Sequence, residues 1–260
     1  MEQPILELSN VGRFFGGLAA VSNLSYSIRQ GQLKAIIGPN GSGKTTLFNV
    51  INMVYPPQKG IVKFKGRRIN NLSPHVIASL GIARTFQNIR LFSQGVTVIE
   101  NVIAGQFANF GIGTFDIVMR GAKARDEYRR CEERAMKWLE YVGLSSKAFL
   151  GIDSLTFAER RRLELARALA SEAELLLLDE PAAGLIEVEA QEFSKKLLQV
   201  NNELKKTICL IEHHVKLVMN TADEILVMNF GQRLAEGPPD EVKNNEDVIK
   251  VYLGEGEDFA

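Results

Sequence analysis

The densest chemical pattern in the chain is a glycine-rich run, GPNGSGKT, at residues 38–45. It fits G-x-x-x-x-G-K-[ST], in which the glycines let backbone N–H groups turn inward around phosphate oxygens. Lys44 would reach the β- and γ-phosphates and Thr45 would hold Mg²⁺, while the start of the following helix adds partial positive charge. The run therefore predicts a nucleotide site, with ATP and Mg²⁺ as ligands, made of Gly38, Pro39, Asn40, Gly41, Ser42, Gly43, Lys44, Thr45 and Thr46.

A second acidic element, LLLLDE, occupies residues 175–180. Its apolar part predicts a buried strand that ends on Asp179 and Glu180. Asp179 is placed for the coordination shell of Mg²⁺, whereas Glu180 faces the other side of the strand and could accept a proton from an attacking water. An acidic pair at a strand end is weak evidence alone. Together with Lys44 it predicts hydrolysis of the bound nucleotide.

These residues need a scaffold in which strands end beside the beginnings of helices. Strand-like apolar runs alternate with helical stretches along most of the chain, without an internal repeat, which predicts an α/β fold. Residues 33–37 lead into the glycine-rich run as a strand, and residues 46–53 leave it as a helix. A helix-rich middle is expected over residues 98–144. Residues 225–228, with the turn at 229–231, predict a hairpin, and the polar tail beyond residue 237 is expected to be partly frayed.

The composition excludes several classes of protein. The chain has 260 residues, 45% of them hydrophobic, and 31 Lys+Arg balance 31 Asp+Glu. A net charge of zero argues against a nucleic-acid partner, which would require clustered excess basic residues. Cys131 and Cys209 lie far apart, which fits a reducing compartment. No signal peptide and no apolar run of about 18 residues are visible, so any membrane role is expected to operate through a partner.

The order of these motifs resembles that of the ATP-binding subunits of ABC transporters, over nearly the whole chain. The resemblance implies that Gln87, in ARTFQNIRLF, contacts Mg²⁺ and the attacking water, and that His213, in LIEHHVKLVM, contacts the γ-phosphate. It also implies an aromatic ring against adenine, for which Phe15 is chosen over Phe14 by its position before a glycine pair, although both could belong to the core. The implied catalytic residues are Glu180, His213 and Gln87, and the implied metal ligands are Thr45, Gln87 and Asp179.

One branch of that family has the most similar motif sequences. FGGLAAV, RTFQNIRLF, DEPAAGL, EHHVKLVM and NNEDVIKVYLGE look like the larger of the two ATP-binding subunits of branched-chain amino acid importers. The resemblance implies a P-loop NTPase (RecA-like) α/β core with a mainly parallel sheet, an N-terminal antiparallel β-subdomain and an inserted α-helical lobe. The core is expected over about 1–88 and 156–235, the helical lobe over about 89–155, and a C-terminal tail over 236–260.

The signature segment departs from the family's pattern. In the family this segment binds the γ-phosphate of ATP held by the opposite subunit, and Thr156 in LTFAE keeps a hydroxyl for it. Ala158 replaces a usual glycine and restricts close backbone approach, whereas Glu159 replaces a usual glutamine and would repel a triphosphate. Further on, Ile186 and Glu187 replace the usual Asn and Pro. One hypothesis is that the chain hydrolyses ATP at its own phosphate loop but supports its neighbour's site weakly; the other is that the substitutions are tolerated.

The resemblance also implies partners and a location. The chain would close head to tail with a second ATP-binding subunit or with itself, on integral-membrane permease subunits served indirectly by a substrate-binding protein. It would lie peripherally on the cytoplasmic face of the inner membrane. Two other classes stay open here. Single-domain length argues against a soluble repair or translation ATPase, and the altered signature argues for a nucleotide-binding regulatory subunit with weak hydrolysis.

Overall fold

The computed structural model describes residues 3–107 and 122–253. The strands are β1 (Leu6–Phe15), β2 (Leu18–Ile28), β3 (Leu33–Ile37), β4 (Lys59–Phe64), β5 (Arg67–Arg68), β6 (Ile82–Arg84), β7 (Leu175–Asp179), β8 (Thr207–Ile211), β9 (Glu224–Asn229) and β10 (Gln232–Gly237). The helices are α1 (Lys44–Ile51), α2 (Pro74–Ser79), α3 (Val98–Gly105), α4 (Ala122–Tyr141), α5 (Phe157–Ala170), α6 (Glu187–Leu204), α7 (Val215–Thr221), α8 (Pro239–Lys243) and α9 (Glu246–Leu253).

The described chain divides into two compact units, the first made of residues 3–87 and 174–253. This unit contains a six-stranded sheet in the order β10-β9-β3-β8-β7-β6 and a four-stranded sheet in the order β2-β1-β4-β5. The larger sheet is parallel from β9 to β6, and β10 joins β9 in an antiparallel pair. The smaller sheet is antiparallel. The predicted mainly parallel core and the predicted N-terminal antiparallel β-subdomain are both confirmed.

Three central strands of the larger sheet explain why the chemical motifs meet. All residues of β3, β7 and β8 are buried, as expected for parallel strands covered on both faces. In the register of the sheet, Ile36 of β3 and Asp179 of β7 both pair with Ile211 of β8. The carboxyl ends of the three strands are therefore level. Three motifs therefore lie at the same edge of the sheet: the glycine-rich run after β3, the acidic pair at the end of β7, and His213 and His214 after β8.

The core of the first unit joins both sheets to α1. Its buried side chains include Leu47, Phe48 and Ile51 of α1, packed in one cluster with apolar residues of β1, β2, β7, β8 and β9. These buried side chains hold α1, the helix that follows the glycine-rich run, in position against both sheets.

The C-terminal part of the first unit is more ordered than the sequence predicts. The predicted hairpin is present as β9 and β10. Beyond it the expectation of fraying is wrong for residues 239–253, which form α8 and α9. Burial of Val242, Val248 and Tyr252 explains why. The last part of the predicted tail, 254–260, lies outside the described residues.

The second unit comprises residues 88–107 and 122–173 and is mainly helical. It extends past residue 155, where the sequence placed the end of the helical lobe. The reason is that α5 contributes Leu163, Ala166 and Ala170 to a core shared with α3 and α4. Residues 108–121 of the predicted lobe lie outside the described residues. Within the part of the chain that the structure describes, no helix is both long and apolar enough to cross a membrane.

Candidate nucleotide-binding site

The glycine-rich run links β3 to α1 and has a backbone that requires glycine at two positions. Gly38 and Gly43 have φ of +145° and +103°, outside the range that side chains favour. A Cβ on Gly38 would collide with the carbonyl oxygen of Met228, and a Cβ on Gly43 with that of Ala20. The loop therefore packs tightly against its neighbours at these two glycines. Gly41, which lies between them, faces open space.

Lys44 begins α1 and folds back over the loop. Its side chain is buried, and its ammonium donates to the carbonyl oxygens of Gly38 at 2.6 Å and Pro39 at 2.9 Å. Among the described residues, the buried hydroxyl of Ser42 has no hydrogen-bond partner. A buried hydroxyl without a partner, in the same loop as a buried ammonium, is an arrangement that an anion would complete.

The remaining predicted loop residues are more accessible. Asn40 and Thr45 are exposed, and Pro39 and Thr46 are half-buried. Thr45 and Thr46 lie in the first turn of α1, where backbone N–H groups have no partner within the helix. Hydroxyls and amides at this helix start can therefore reach a bound phosphate group.

Asp179 ends β7 as a buried carboxylate with one oxygen occupied. Its Oδ2 accepts from the Arg84 guanidinium at 2.8 Å, and both side chains are only 3% exposed. Among the described residues, Oδ1 of Asp179 has no hydrogen-bond partner. Burial raises the pKa of Asp179, and the Arg84 interaction opposes that rise. An unoccupied carboxylate oxygen next to the phosphate loop fits a divalent cation.

Within the described ranges, no group of three or more His, Cys, Asp or Glu side chains is arranged to hold a metal ion. A cation at Asp179 would thus take its other ligands from hydroxyl, amide and phosphate oxygens and from water, as Mg²⁺ does at nucleotide sites.

Arg84, which sequence reasoning missed, links three parts of the site. Besides Asp179, its guanidinium donates to Asn49 Oδ1 on α1 at 2.7 Å, and it lies 5.0 Å from the ring centre of Phe86 and 5.6 Å from that of Phe48. A buried acid needs a cationic partner, so an acidic residue at the end of an apolar strand was the sequence signal that an arginine or lysine lies beside it. The sequence could not say which residue supplies this partner.

Glu180 brings together the three residues implied in catalysis. Its Oε2 accepts from Gln87 Nε2 at 2.7 Å, and its Oε1 lies 3.0 Å from His213 Nε2. Its backbone has φ of +48°, rare for a residue with a side chain, and its N–H donates to the carbonyl oxygen of Ile211 at 2.9 Å. One carboxylate therefore connects the segment after β6 with the segment after β8.

Glu212, also missed from the sequence, lies directly after β8. It is 3% exposed, and its two carboxylate oxygens accept from backbone N–H groups of Ala182 at 2.7 Å and His213 at 3.2 Å. Burial raises the pKa of Glu212 to about 7. A glutamate that directly follows the apolar run 208–211 was the sequence signal for a buried charged group.

Phe15 ends β1 with its ring 40% exposed. The Arg13 guanidinium lies 4.8 Å from its ring centre, and the ring of Tyr55 meets it edge to face at 5.3 Å. Phe14 is half-buried, with Lys59 Nζ 5.6 Å from its ring centre. The more exposed ring of the two is thus the one that the sequence assigned to adenine.

The altered signature segment lies in the second unit and begins α5. The Thr156 hydroxyl accepts from the Glu159 N–H at 3.2 Å, and a Glu159 carboxylate oxygen accepts from the Thr156 N–H at 2.9 Å. Lys147 Nζ donates to both Glu159 oxygens at 2.8 Å and lowers the pKa of that carboxyl. The negative charge expected to repel a triphosphate is therefore paired with a lysine, and part of the helix terminus is already capped.

The other altered residues begin α6 in the first unit. The side chain of Glu189 accepts from the Ile186 N–H at 3.1 Å, and Ile186 itself is 67% exposed. Glu187 lies 3.7 Å from Lys216 Nζ, and both side chains are exposed. These substitutions keep the start of α6 capped while presenting an apolar side chain to solvent.

Comparisons with known proteins agree with the family resemblance of the sequence. A family model described as ABC transporter matches residues 21–183, and one described as branched-chain amino acid ATP-binding cassette transporter matches residues 232–258. The chain is 41% identical to the high-affinity branched-chain amino acid transport ATP-binding protein LivG of Salmonella typhimurium, covering 98% of this chain and 100% of that protein. It is 40% identical to BraF of Pseudomonas aeruginosa, described in the same words, with the same coverage.

Solved structures of ATP-binding cassettes have a similar fold. A nucleotide-free ATP-binding cassette from an ABC transporter superposes with a TM-score of 0.82 at 31% identity, covering 96% of this chain and 99% of that one. A cassette of an ABC transporter in its ADP conformation superposes with a TM-score of 0.82 at 30% identity, covering 97% and 99%.

Proposed function

The chain belongs to the ABC transporter family, and on that premise we propose that it binds and hydrolyses ATP to power import of branched-chain amino acids. The observation that carries hydrolysis is the Glu180 carboxylate, held between Gln87 and His213 at 2.7 and 3.0 Å. The solute is supported by the relatives' names and by the model matched at residues 232–258.

The phosphate loop supplies binding. Backbone N–H groups from Gly38 to Thr46 and the ammonium of Lys44 would surround the β- and γ-phosphates. Lys44 would exchange its carbonyl partners for phosphate oxygens, which are stronger acceptors. Phe15, which is 40% exposed, would stack on adenine.

Asp179, Thr45 and Gln87 would hold Mg²⁺, for which the unpartnered Oδ1 of Asp179 is the structural support. When bound, Mg²⁺ neutralises charge on the phosphates. The Arg84 guanidinium opposes the rise in the pKa of Asp179 and binds Oδ2, which leaves Oδ1 for the cation.

Glu180 and His213 supply the chemistry of the chain itself. A water at Glu180 would attack the γ-phosphorus as its proton moves to the carboxylate and the bond to the β,γ-bridging oxygen breaks. His213 would orient Glu180 and contact the departing γ-phosphate, and Gln87 would hold the water from the other side. This arrangement argues against a regulatory subunit that only binds nucleotide.

The transporter supplies the remaining parts. The chain would lie on the cytoplasmic face of the inner membrane, with a loop of the integral-membrane permease subunits docked near Gln87. It would pair head to tail with a second ATP-binding subunit or with itself, and a substrate-binding protein would act through the permeases. Movement of the helical unit on ATP binding would then reach the permeases.

The test is ATP-driven uptake of radiolabelled leucine by vesicles that contain the chain with its permease and ATPase partners. Lys44→Ala removes the ammonium from the phosphate loop and should lower hydrolysis and uptake about 10²-fold or more, because charge stabilisation in the loop is lost. Lys63→Ala, at an exposed lysine of β4, is the matched control and should leave both unchanged. Hydrolysis without leucine uptake would contradict the proposed solute.

A further inference from the structure

We infer that Glu212 is a positioning residue for hydrolysis, which holds the loop carrying Glu180 and the segment carrying His213 in one fixed geometry. This inference rests on the proposed hydrolysis and deepens it. Glu212 does not point at the nucleotide motifs itself; it acts through the backbone of the residues beside them.

The contacts of Glu212 form a bridge between two strand ends. One oxygen accepts from the N–H of Ala182, two residues after Glu180, and the other from the N–H of His213. On the opposite side, Glu180 Oε1 and His213 Nε2 are 3.0 Å apart. Backbone and side chains thus close a ring that contains the proposed base and the histidine that orients it. A change at Glu212 alters the distance between them.

The ring needs a carboxylate and not merely a polar side chain. Each of the two N–H groups requires an acceptor, and only an ionised carboxylate offers two equivalent acceptor oxygens. A glutamine in the same place has one oxygen, and its NH₂ group would face an N–H donor. The buried position of Glu212 makes that mismatch costly, because no water replaces the lost acceptor.

The charges around Glu212 make the ring sensitive to pH. Burial is the main cause that raises the pKa of Glu212 to about 7, and the nearby charge of Glu180 at the end of β7 adds to the rise. Backbone N–H groups of Ala182, His213 and His214 act in the opposite direction. The histidines are also the titratable side chains beside it on its own segment. As pH falls through about 7, Glu212 takes up a proton, one oxygen stops accepting, and the ring opens.

The experiment compares Glu212→Gln with Ser194→Ala in the full chain assembled with its transporter partners. Ser194 on α6 bonds to the Thr221 hydroxyl on α7 at 3.0 Å, so its loss removes a buried hydrogen bond between the helices that follow the same two loops. For each protein the kcat for ATP hydrolysis is measured from pH 5.5 to 8.5, together with the Kd of a fluorescent ATP analogue.

In Glu212→Gln, kcat should fall about tenfold or more while Kd changes less than about twofold, because general-base catalysis is worth about 10²–10⁴-fold and binding is untouched. The wild-type decline in kcat below about pH 7 should also disappear. Ser194→Ala should keep the wild-type kcat and pH profile.

Two results would overturn the inference: a wild-type kcat in Glu212→Gln, or an equal loss of kcat in Ser194→Ala. If Glu212→Gln does not fold, Glu212→Asp keeps the charge on a shorter side chain that cannot reach both N–H groups, and a wild-type kcat there would also overturn it. Absence of hydrolysis in the wild-type assembly would instead count against the proposed function.

Discussion

At the scale of single residues, the buried ion pair of Arg84 and Asp179 has a direct consequence for stability. Both side chains are 3% exposed, so neither charge can turn to water if the other is removed. Replacing a buried pair by apolar residues can be neutral, whereas removing one partner leaves an uncompensated charge. Arg84 therefore supports both the fold and the acid proposed to hold Mg²⁺.

We predict that Arg84→Ala lowers the free energy of unfolding by about 3–5 kcal/mol at neutral pH, the usual cost of breaking a buried pair. Urea unfolding followed by circular dichroism measures it. Lys63→Ala, which removes an exposed partner of Glu7 at 3.5 Å, is the control and should change stability by about 0–1 kcal/mol. Equal effects of the two variants would contradict the role assigned to Arg84.

The pair of Arg84 and Asp179 also shows which contacts the sequence does not predict. The glycine spacing and the apolar runs carry local information, so the sequence predicts the strands before the phosphate loop and the acidic pair, which the structure contains as β3 and β7. The helix predicted over 46–53 is also present, as α1, but it begins at Lys44 and ends at Ile51. Arg84 and Glu212 lie inside the quoted segments ARTFQNIRLF and LIEHHVKLVM, but the family resemblance gives neither residue a role. Their importance arises from contacts between segments about 95 and 30 residues apart. Only the order and register of the sheet bring these residues to their partners.

At the scale of elements, the beginning of α5 has its own charge balance. Thr156 and Glu159 cap the helix reciprocally, and Lys147 from the preceding turn neutralises the carboxylate. An acid at N3 also interacts favourably with the helix dipole. The substitution of glutamic acid for glutamine therefore strengthens the start of this helix, which was not visible from the family's pattern alone.

We predict that Lys147→Ala lowers stability by about 1 kcal/mol at pH 7, since the pair is partly exposed and screened by solvent. The pKa of Glu159 is lowered in the folded chain, so the contribution of this pair is present above the carboxyl's ordinary pKa and is lost as pH falls through the lowered one. The difference in unfolding midpoint from wild type should thus shrink toward zero in acid.

Lys137→Ala, at an exposed lysine of α4 in the same unit, is the matched control. A destabilisation by Lys147→Ala that stayed constant down to the acid range would show that the effect comes from packing and not from the ion pair.

Two element-scale expectations were harder to make from sequence. The polar composition after residue 237 predicts fraying, but three buried side chains hold α8 and α9 in place. The charged sequence of α5 predicts little about its neighbours, whereas its small buried residues pack it with α3 and α4. In both cases a few apolar residues at helical spacing outweigh the average polarity of the segment.

At the scale of the whole molecule, some motifs keep the family's sequence pattern and others depart from it. In the first unit, the phosphate loop, Asp179, Glu180 and His213 keep the family's pattern and meet in one site. In the second unit, the signature segment carries Ala158 and a lysine-paired Glu159. The start of α6, which belongs to the first unit, carries the other altered residues, Ile186 and Glu187. If the chain forms the proposed head-to-tail pair, the family resemblance implies that the altered segments contact the ATP of the partner, so the two composite sites of a mixed pair should be unequal.

We predict that, in the assembly with a second ATPase subunit, most hydrolysis occurs at the site that contains Lys44. Lys44→Ala should therefore abolish most turnover, whereas the same substitution in the partner's phosphate loop should leave a large fraction, because that ATP meets the capped and altered signature of this chain. Steady-state hydrolysis and leucine uptake by the two singly substituted assemblies measure the difference. Restoring the family's residues with Ala158→Gly and Glu159→Gln should raise turnover at the partner's site. Equal losses from the two lysine substitutions would show instead that Thr156 and the start of α5 are sufficient for the γ-phosphate.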